Sequence, residues 1–398
     1  MNVLHVLPYY APAWAYGGVV RAVTDLTRAQ AAAGHRVFVL TTDTRSPTAR
    51  LEALRETLDG VHVVRVRNRS NRLRGTLNLS SPRGMAAAAE RLVREEGIAV
   101  VHCHELRTVE NLLVTPVAQR LGIPAVVSPH GTLPYHTGRS LVKQLWDRLL
   151  GARLLPRFAG VVALTAHEAE DARLVWRACG QRLEEGAVFV VPNGVHLADF
   201  ADLPPAEPFR ARWGLGTGPV VFFLGRLHAR KGVQLLIPAF AAATRNLPQA
   251  RLLVVGPDEG MRAQLEALAR AEGVAERVVF TGLLTGAEKL AALAAADVFA
   301  LPAVGEGFSM AALEALACGL PAVLTPGCHF PEVAEAGAGV VVPREVGALG
   351  EALGALLRAP ERRAAMGQAA RALVAQHYTW GRVVAQLTDV YRRVASAG

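Results

Sequence analysis

The chain has 398 residues, 51% of them hydrophobic and 19% charged, and its 43 Lys plus Arg against 34 Asp plus Glu give a formal net charge of +9. At about 100–200 residues per domain, that length predicts two domains, each able to bury its own core, and the composition excludes a disordered chain. No run approaches the roughly 18 consecutive apolar residues that a membrane span needs: Arg21 and Asp25 cut the stretch from Gly17, and Asp297 ends the one from Leu290.

The first residues, Met1 to Tyr10, read as a short strand rather than a leader, since they lack a basic start and a cleavage site. Short β-rich runs then alternate with helical patterns. Strands are predicted at Val3–Leu7, Arg36–Thr41, Val61–Arg67, Ala99–Cys103, Ala125–Ser128, Gly160–Leu164 and Val188–Val191, with helices at Val19–Ala33, Met85–Glu95 and Thr108–Leu121. Several strands are nearly continuous apolar runs, as a parallel strand covered on both faces requires. The stretch Asp199–Pro219 carries Pro204, Pro205, Pro208 and Pro219 with Gly214, Gly216 and Gly218, and reads as an interdomain connection. The alternation then resumes, with strands at Val220–Leu224, Arg251–Val255, Arg277–Phe280, Asp297–Leu301, Ala322–Thr325 and Gly339–Val342. Two such arrays predict an α/β protein of two doubly wound, Rossmann-like domains facing each other, with ligands in the cleft at the carboxyl ends of the strands.

The lysines are few. Lys143, Lys231 and Lys289 are the only ones, a pattern that a coding bias towards arginine explains, and any lysine kept against it invites a functional question. Cys103, Cys179, Cys318 and Cys328 form no C-x-x-C pair, so buried thiols in a reducing cytoplasm are expected.

Glycine-rich turns locate the phosphate chemistry. Gly17-Gly18 opens the first helix and offers free amides to an anion, although a tight turn alone would also need glycine. The dinucleotide fingerprint G-x-G-x-x-G follows no strand, which argues against a dehydrogenase, and the segment from Gly225 to Gly232 lacks the glycine and hydroxyl residue of a P-loop. In that segment Arg226 and Lys231 stand five apart at a strand's carboxyl end. They can clamp a diphosphate with a planar fork and a point charge, or form a solvated basic turn. Glu306-Gly-Phe-Ser-Met-Ala-Ala-Leu-Glu314 decides between these. A helix beginning near Phe308 aims the amides of Phe308, Ser309 and Met310 at an anion. Glu314, among alanines and leucines about two turns in, needs a donor partner that sugar or ribose hydroxyls can supply.

Glu306-x7-Glu314 with Gly225-Arg226 and Lys231-Gly232 resembles the donor-site signature of the retaining glycosyltransferases of family 4, which have the GT-B fold. Gly17-Gly18, Val101-His-Cys-His104, Ser128-Pro-His130-Gly131, Val191-Pro-Asn-Gly194-Val and Leu316-Ala-Cys-Gly-Leu-Pro-Ala-Val323 agree, in the family's order and over nearly the whole chain. The resemblance implies that residues 1–200 form the acceptor-side domain, 201–377 the donor-side domain, and 378–398 a last helix that crosses back. Domain closure about Asp199–Pro219 would complete the site. The resemblance gives Arg226 and Lys231 the donor diphosphate, Glu314 the ribose hydroxyls and Glu306 the sugar ring near its 3-position. Phe308, Ser309 and Met310 would offer amides to the phosphate, with Gly18 approaching from the other domain. His130 would lie beside the reacting sugar and Leu284 near the base. Retention would follow from front-face attack, the leaving phosphate helping to deprotonate the acceptor, so that the chemistry is chiefly charge stabilisation and positioning.

The resulting expectation is a retaining hexosyltransferase that moves sugar from a nucleotide diphosphate donor to a saccharide or lipid-linked saccharide in envelope polysaccharide or glycolipid assembly. The alternatives are an epimerase of the same fold and a non-catalytic sugar-nucleotide-binding protein. No cofactor and no metal is expected: Asp-x-Asp occurs nowhere, leaving side-chain cations to neutralise the leaving group. His102 and His104 stand two apart at a strand end, but no third metal ligand has motif spacing. His104 is therefore placed on the acceptor side, while His102 equally fits a satisfied core histidine. Two basic stretches, Arg65 to Arg83 (Arg65, Arg67, Arg69, Arg72, Arg74, Arg83) and Arg139 to Arg157, predict either ordinary solvated surface or peripheral contact with anionic membrane at the cytoplasmic face. Nucleic acid is excluded as a partner, since no recognition motif is present.

Overall fold

The computed structural model describes residues 1–71, 80–135 and 140–396. It forms two units, one made of Met1–Gly194 with Trp380–Gly398 and the other of Val195–Thr379.

Among the described residues, the first unit is built on eight strands: β1 Asn2–Val6, β2 Arg36–Thr42, β3 Arg55–Leu58, β4 Val61–Val66, β5 Val100–His104, β6 Ala125–Ser128, β7 Gly160–Ala163 and β8 Val188–Val190. They lie in the order β3-β4-β2-β1-β5-β6-β7-β8. All neighbours are parallel except β3 against β4. β3, with sequence Arg-Glu-Thr-Leu and no fully buried residue, carries no apolar run, so the sequence does not announce it. The central strands are buried on both faces, as their Val-rich sequences require. Helix Gly18–Ala32 covers one face with Val20, Val23, Leu26 and Gln30 turned inward. The last helix, Trp380–Ser396, buries Trp380, Val383, Leu387 and Tyr391 against Val3, Val100 and Val126.

The second unit carries β9 Val220–Leu224, β10 Arg251–Val255, β11 Val278–Gly282, β12 Val298–Leu301, β13 Ala322–Leu324 and β14 Gly339–Val341. Their order is β11-β10-β9-β12-β13-β14, parallel throughout. Phe222, Phe223, Phe240 and Phe299 fill the centre of its core. The strand order reverses between β1 and β5 in the first unit and between β9 and β12 in the second. Those are the switch points where such sheets take ligands.

The segment Asp199–Pro219 is not a linker. It holds the helix Ala206–Arg212 and buries Phe209 and Leu215 in the second core. Arg210 donates to the carbonyls of Gly216, Gly218 and Ala295 and pairs with Asp297 at 3.0 Å. Its prolines and glycines shape a packed turn. The chain changes unit at Gly194/Val195 and again at Thr379/Trp380, rather than at residues 200 and 377. Gly194 admits the second crossing, since a Cβ there would lie 2.8 Å from the Trp380 nitrogen.

Candidate active site

In the second unit β9 and β12 are neighbours, with Val221 opposite Val298 and Phe222 opposite Phe299. Their carboxyl ends therefore release the loops carrying Arg226 to Lys231 and Pro302 to Glu306 side by side. Two glycines allow the approach. A Cβ on Gly232, whose φ is +83°, would meet the Pro302 carbonyl oxygen at 2.1 Å, and one on Gly256 would meet the Gly225 oxygen at 1.8 Å. The Lys231 Nζ lies 2.6 Å from Glu306 Oε1, and the Glu306 N–H donates to the Gly327 carbonyl at 2.9 Å. Lys289 Nζ reaches both oxygens of Glu314 at 2.8 Å. Arg226, more exposed, pairs with Glu259 at 2.5 Å. Two of the chain's three lysines thus hold the two glutamates of the E-x7-E motif. Lys289 and Glu259 escaped the sequence reading because neither belongs to the motif. Rarity was the only signal Lys289 gave.

The helix after β12 runs Met310–Ala317, so Phe308 and Ser309 precede it and Glu314 stands just past its first turn rather than two turns in. Ser309 is its N-cap: the buried hydroxyl accepts from the Ala312 N–H at 3.2 Å and is committed to the helix. The Phe308 ring packs 5.5 Å from Phe330 and 6.1 Å from Tyr378. Met310 and Leu284 are half-buried against the core, Leu284 in the turn after β11 beside exposed Leu283. Gly18, in the first unit, is exposed, and a Cβ there would meet nothing within 4 Å; Gly17, at φ +90°, is the residue the turn itself requires to be glycine.

His130 lies in the first unit beyond β6, in the left-handed region at φ +56°, followed by Gly131 at +73°. Backbone held there in a non-glycine residue is costly, and such strain concentrates at functional sites. The turn is braced by Glu168, whose carboxylate accepts from the Gly131 N–H and, at 2.7 Å, from the Leu164 N–H. Burial raises the Glu168 carboxyl to about 7 despite those two bonds. Glu168 stands 37 residues from Gly131, so no local motif announces the contact. Its structural work is this brace.

His104 does not line a surface. It is fully buried at the end of β5, with Nδ1 2.9 Å from His130 Nε2 and Nε2 2.9 Å from His5 Nδ1. Parallel register explains the cluster: His5 on β1 sits opposite His102, and residues two apart on β5 share a face. His5, His102 and His104 bring nitrogens within 4.8 Å of one another, a third candidate ligand that spacing could not reveal. Their six ring nitrogens are all engaged in hydrogen bonds, to one another, Gln30, Tyr391, Ser128 and His130. The donor set is that of a hydrogen-bonded chain rather than a set of lone pairs converging on an ion. Burial holds His5 and His130 near 4 and His102 and His104 well below the usual imidazole range, so all four rings are neutral at pH 7.

Residues 17–194 match the model of the glycosyl transferase 4-like domain, and residues 206–373 that of the glycosyl transferases group 1. The chain is 34% identical over 331 residues to a GDP-mannose-dependent α-(1-6)-phosphatidylinositol monomannoside mannosyltransferase of Mycolicibacterium smegmatis, covering 79% of this chain and 81% of that one. The chain belongs to glycosyltransferase family 4. A Mycobacterium tuberculosis GDP-mannose-dependent α-(1-6)-phosphatidylinositol dimannoside mannosyltransferase is 28% identical over 394 residues, 97% of this chain and 95% of that one. The Anabaena protein HepE, solved with UDP and glucose, has a TM-score of 0.74 at 20% identity, over 99% of this chain and 100% of that one, and shows the fold to be GT-B. Membership makes the chain a retaining glycosyltransferase that moves a hexose from a nucleotide diphosphate sugar to a saccharide or lipid-linked saccharide acceptor.

Proposed function

We propose that the chain transfers mannose from GDP-mannose to an inositol-phospholipid glycan at a membrane surface, without a metal ion. The observation that carries the reading is the paired arrangement Lys231–Glu306 and Lys289–Glu314 at the carboxyl ends of β9 and β12 and the helix that follows. Lys231 and Arg226 supply the charge that neutralises a departing diphosphate, a task that side-chain cations can perform in place of a bound metal. Glu306 and Glu314 present carboxylates to sugar and ribose hydroxyls, and the acceptor attacks from the face the leaving group vacates. The donor and acceptor named for the mycobacterial relatives support the choice of mannose and of a phosphatidylinositol mannoside.

Among the described residues, no helix is long and apolar enough to cross a membrane. Peripheral contact is supported by the segment Ser140–Arg157, where Leu141, Val142, Leu145 and Leu149 are 80%, 55%, 57% and 62% exposed. Arg148 and Arg153 lie exposed on the same segment. Its one acid, Asp147, is turned inward and paired with Arg107 at 2.7 Å. The outward face is thus apolar and cationic, the pattern that suits anionic lipid. The other basic stretch is less uniform than its composition implies. Arg65 is buried, bonded to Glu56 and to the Ala11 carbonyl, and Arg67 pairs with buried Asp43; Arg72, Arg74 and Arg139 lie outside the described residues.

The experiment is transfer from GDP-mannose, UDP-glucose and UDP-galactose to phosphatidylinositol mannoside in vesicles, with and without EDTA, and with donor alone. EDTA-resistant product from GDP-mannose is expected. Exclusive use of a UDP-sugar, or loss of transfer in EDTA, would overturn the respective part of the reading.

A further inference from the structure

His130 is the near end of a buried hydrogen-bonded chain that runs through six more side chains. His130 Nε2 meets His104 Nδ1 at 2.9 Å, His104 Nε2 meets His5 Nδ1 at 2.9 Å, and His5 Nε2 meets Gln30 Oε1 at 2.7 Å. The Gln30 amide donates to the Tyr391 hydroxyl at 3.2 Å, Tyr391 meets His102 Nδ1 at 2.7 Å, and His102 Nε2 meets Ser128 Oγ at 2.8 Å. Apart from His130, every member is nearly or wholly buried.

A chain of this kind has a direction, because a neutral imidazole is a donor at one nitrogen and an acceptor at the other. The Gln30 amide is placed with its oxygen on His5 and its NH2 on Tyr391, and in that orientation His5 carries its proton on Nε2 and accepts at Nδ1. His104 must then donate from Nε2 and accept at Nδ1, which requires His130 to donate from Nε2. On the other side Gln30 donates to the Tyr391 oxygen, the Tyr391 hydroxyl donates a hydrogen bond to His102 Nδ1, and His102 donates from Nε2 to Ser128. Each hydrogen bond of the chain then has one donor and one acceptor. Burial, which disfavours imidazolium at each ring and raises the Tyr391 hydroxyl well above its ordinary range, keeps the members neutral.

We propose that Gln30, His5 and His104 are positioning residues that fix His130 as the neutral Nε2–H tautomer, leaving its Nδ1 lone pair to accept a hydrogen bond from a hydroxyl of the reacting sugar. The inference rests on the reading of His130 as the histidine beside that sugar and adds its tautomer, charge and means of control. A neutral acceptor suits a transition state in which positive charge grows on the sugar ring, where an imidazolium would be repelled. The left-handed backbone of His130 and the Glu168 brace fix where the ring starts; the chain fixes which nitrogen faces outward.

The test is long-range proton–nitrogen correlation on protein carrying 15N-labelled histidine, with His130 assigned by its loss in His130→Ala. The expected spectrum shows His130 as a single Nε2–H tautomer at pH 7. His104→Gln keeps one donor and one acceptor in line and should retain that tautomer, with kcat within about threefold of the parent. His104→Phe should give mixed tautomers and lower kcat tenfold or more, with the donor KM within threefold. Gln30→Met cuts the chain one step further back and gives the same result if the ring at 104 cannot be replaced. An Nδ1–H tautomer in the parent protein, or an unchanged His130 tautomer in both chain-breaking variants, overturns the proposal. Near-normal turnover by His130→Ala instead overturns the reading of His130 itself, whatever the ring spectra show.

Discussion

Lys231 Nζ lies 2.6 Å from Glu306 Oε1, joining the loop after β9 to the loop after β12 at the point where the strand order of the second unit reverses. The two side chains are only 20% and 13% exposed. The pair is thus more sheltered than a surface salt bridge, yet still open enough for a ligand to reach either partner. Partly exposed pairs contribute roughly 1 kcal/mol or less to folding. Lys231→Ala and Glu306→Ala should therefore shift the unfolding midpoint little while lowering transfer by two or more orders of magnitude. Near-parental kcat/KM in either variant contradicts the assignment.

Lys289 presents a different expectation, since it holds both oxygens of Glu314. If Glu314 takes ribose hydroxyls, Lys289 orients its carboxylate without touching the transferred sugar. Lys289→Met should raise the donor KM several-fold and leave kcat within about twofold, whereas Glu314→Ala should raise KM further. A fall in kcat alone for Lys289→Met would place the lysine in the chemical step.

Gly232 is held at φ +83° with the Pro302 carbonyl where a Cβ would go. Gly232→Ala meets rigid backbone, so about 2 kcal/mol or more of stability should be lost, read as a lower urea midpoint. Gly18→Ala, with open space around the Cβ, should leave the midpoint unchanged and report on ligand binding alone.

The neutral histidines make the first unit acid-sensitive. His5 and His130, held near 4, stay unprotonated in the fold while the unfolded chain takes up protons near 6.5. The stability they contribute is therefore present above about 6.5 and lost as pH falls towards 4. For His5 alone the full loss is on the order of 3 kcal/mol. Glu168 acts in the opposite sense: its raised carboxyl stabilises the fold most below its ordinary value of 4.5, and that benefit fades as pH rises to about 7. His35, lowered by burial, adds to the acid loss. Urea midpoints should fall between pH 7 and 5, more steeply in Glu168→Gln and less in His104→Gln. Parallel slopes for all three proteins would falsify this account.

The exposed leucines of Ser140–Arg157 should matter only at a bilayer. Leu145→Glu with Leu149→Glu is expected to abolish co-sedimentation with vesicles rich in phosphatidylinositol, without changing the melting temperature. Undiminished sedimentation would remove this face from the proposal.

Much of the fold was legible because parallel strands buried on both faces leave continuous apolar runs, and most strand limits lie within one or two residues of those read from the sequence. β3 was missed because a polar edge strand leaves no such run. The connection was misread because prolines and glycines mark a packed turn and a linker alike; burial of Phe209 and Leu215 is a tertiary fact. The donor motif was legible since its residues sit close together in sequence. Lys289, 25 residues from Glu314, was not. The histidine chain joins residues as far apart as Gln30 and Tyr391, and only the register of β1 on β5 brings its members together. Arg65 reads as one of a run of surface arginines until Glu56 and the Ala11 carbonyl are found around it.

The central claim is that Lys231 binds the donor's diphosphate while Glu306 acts on its sugar. Calorimetric titration of GDP into the parent protein, Lys231→Ala and Glu306→Ala tests it most directly. GDP affinity should fall tenfold or more in Lys231→Ala and stay within about threefold in Glu306→Ala, although both variants lose transfer. Parental GDP affinity in Lys231→Ala, or an equal loss in both, would contradict that division of labour.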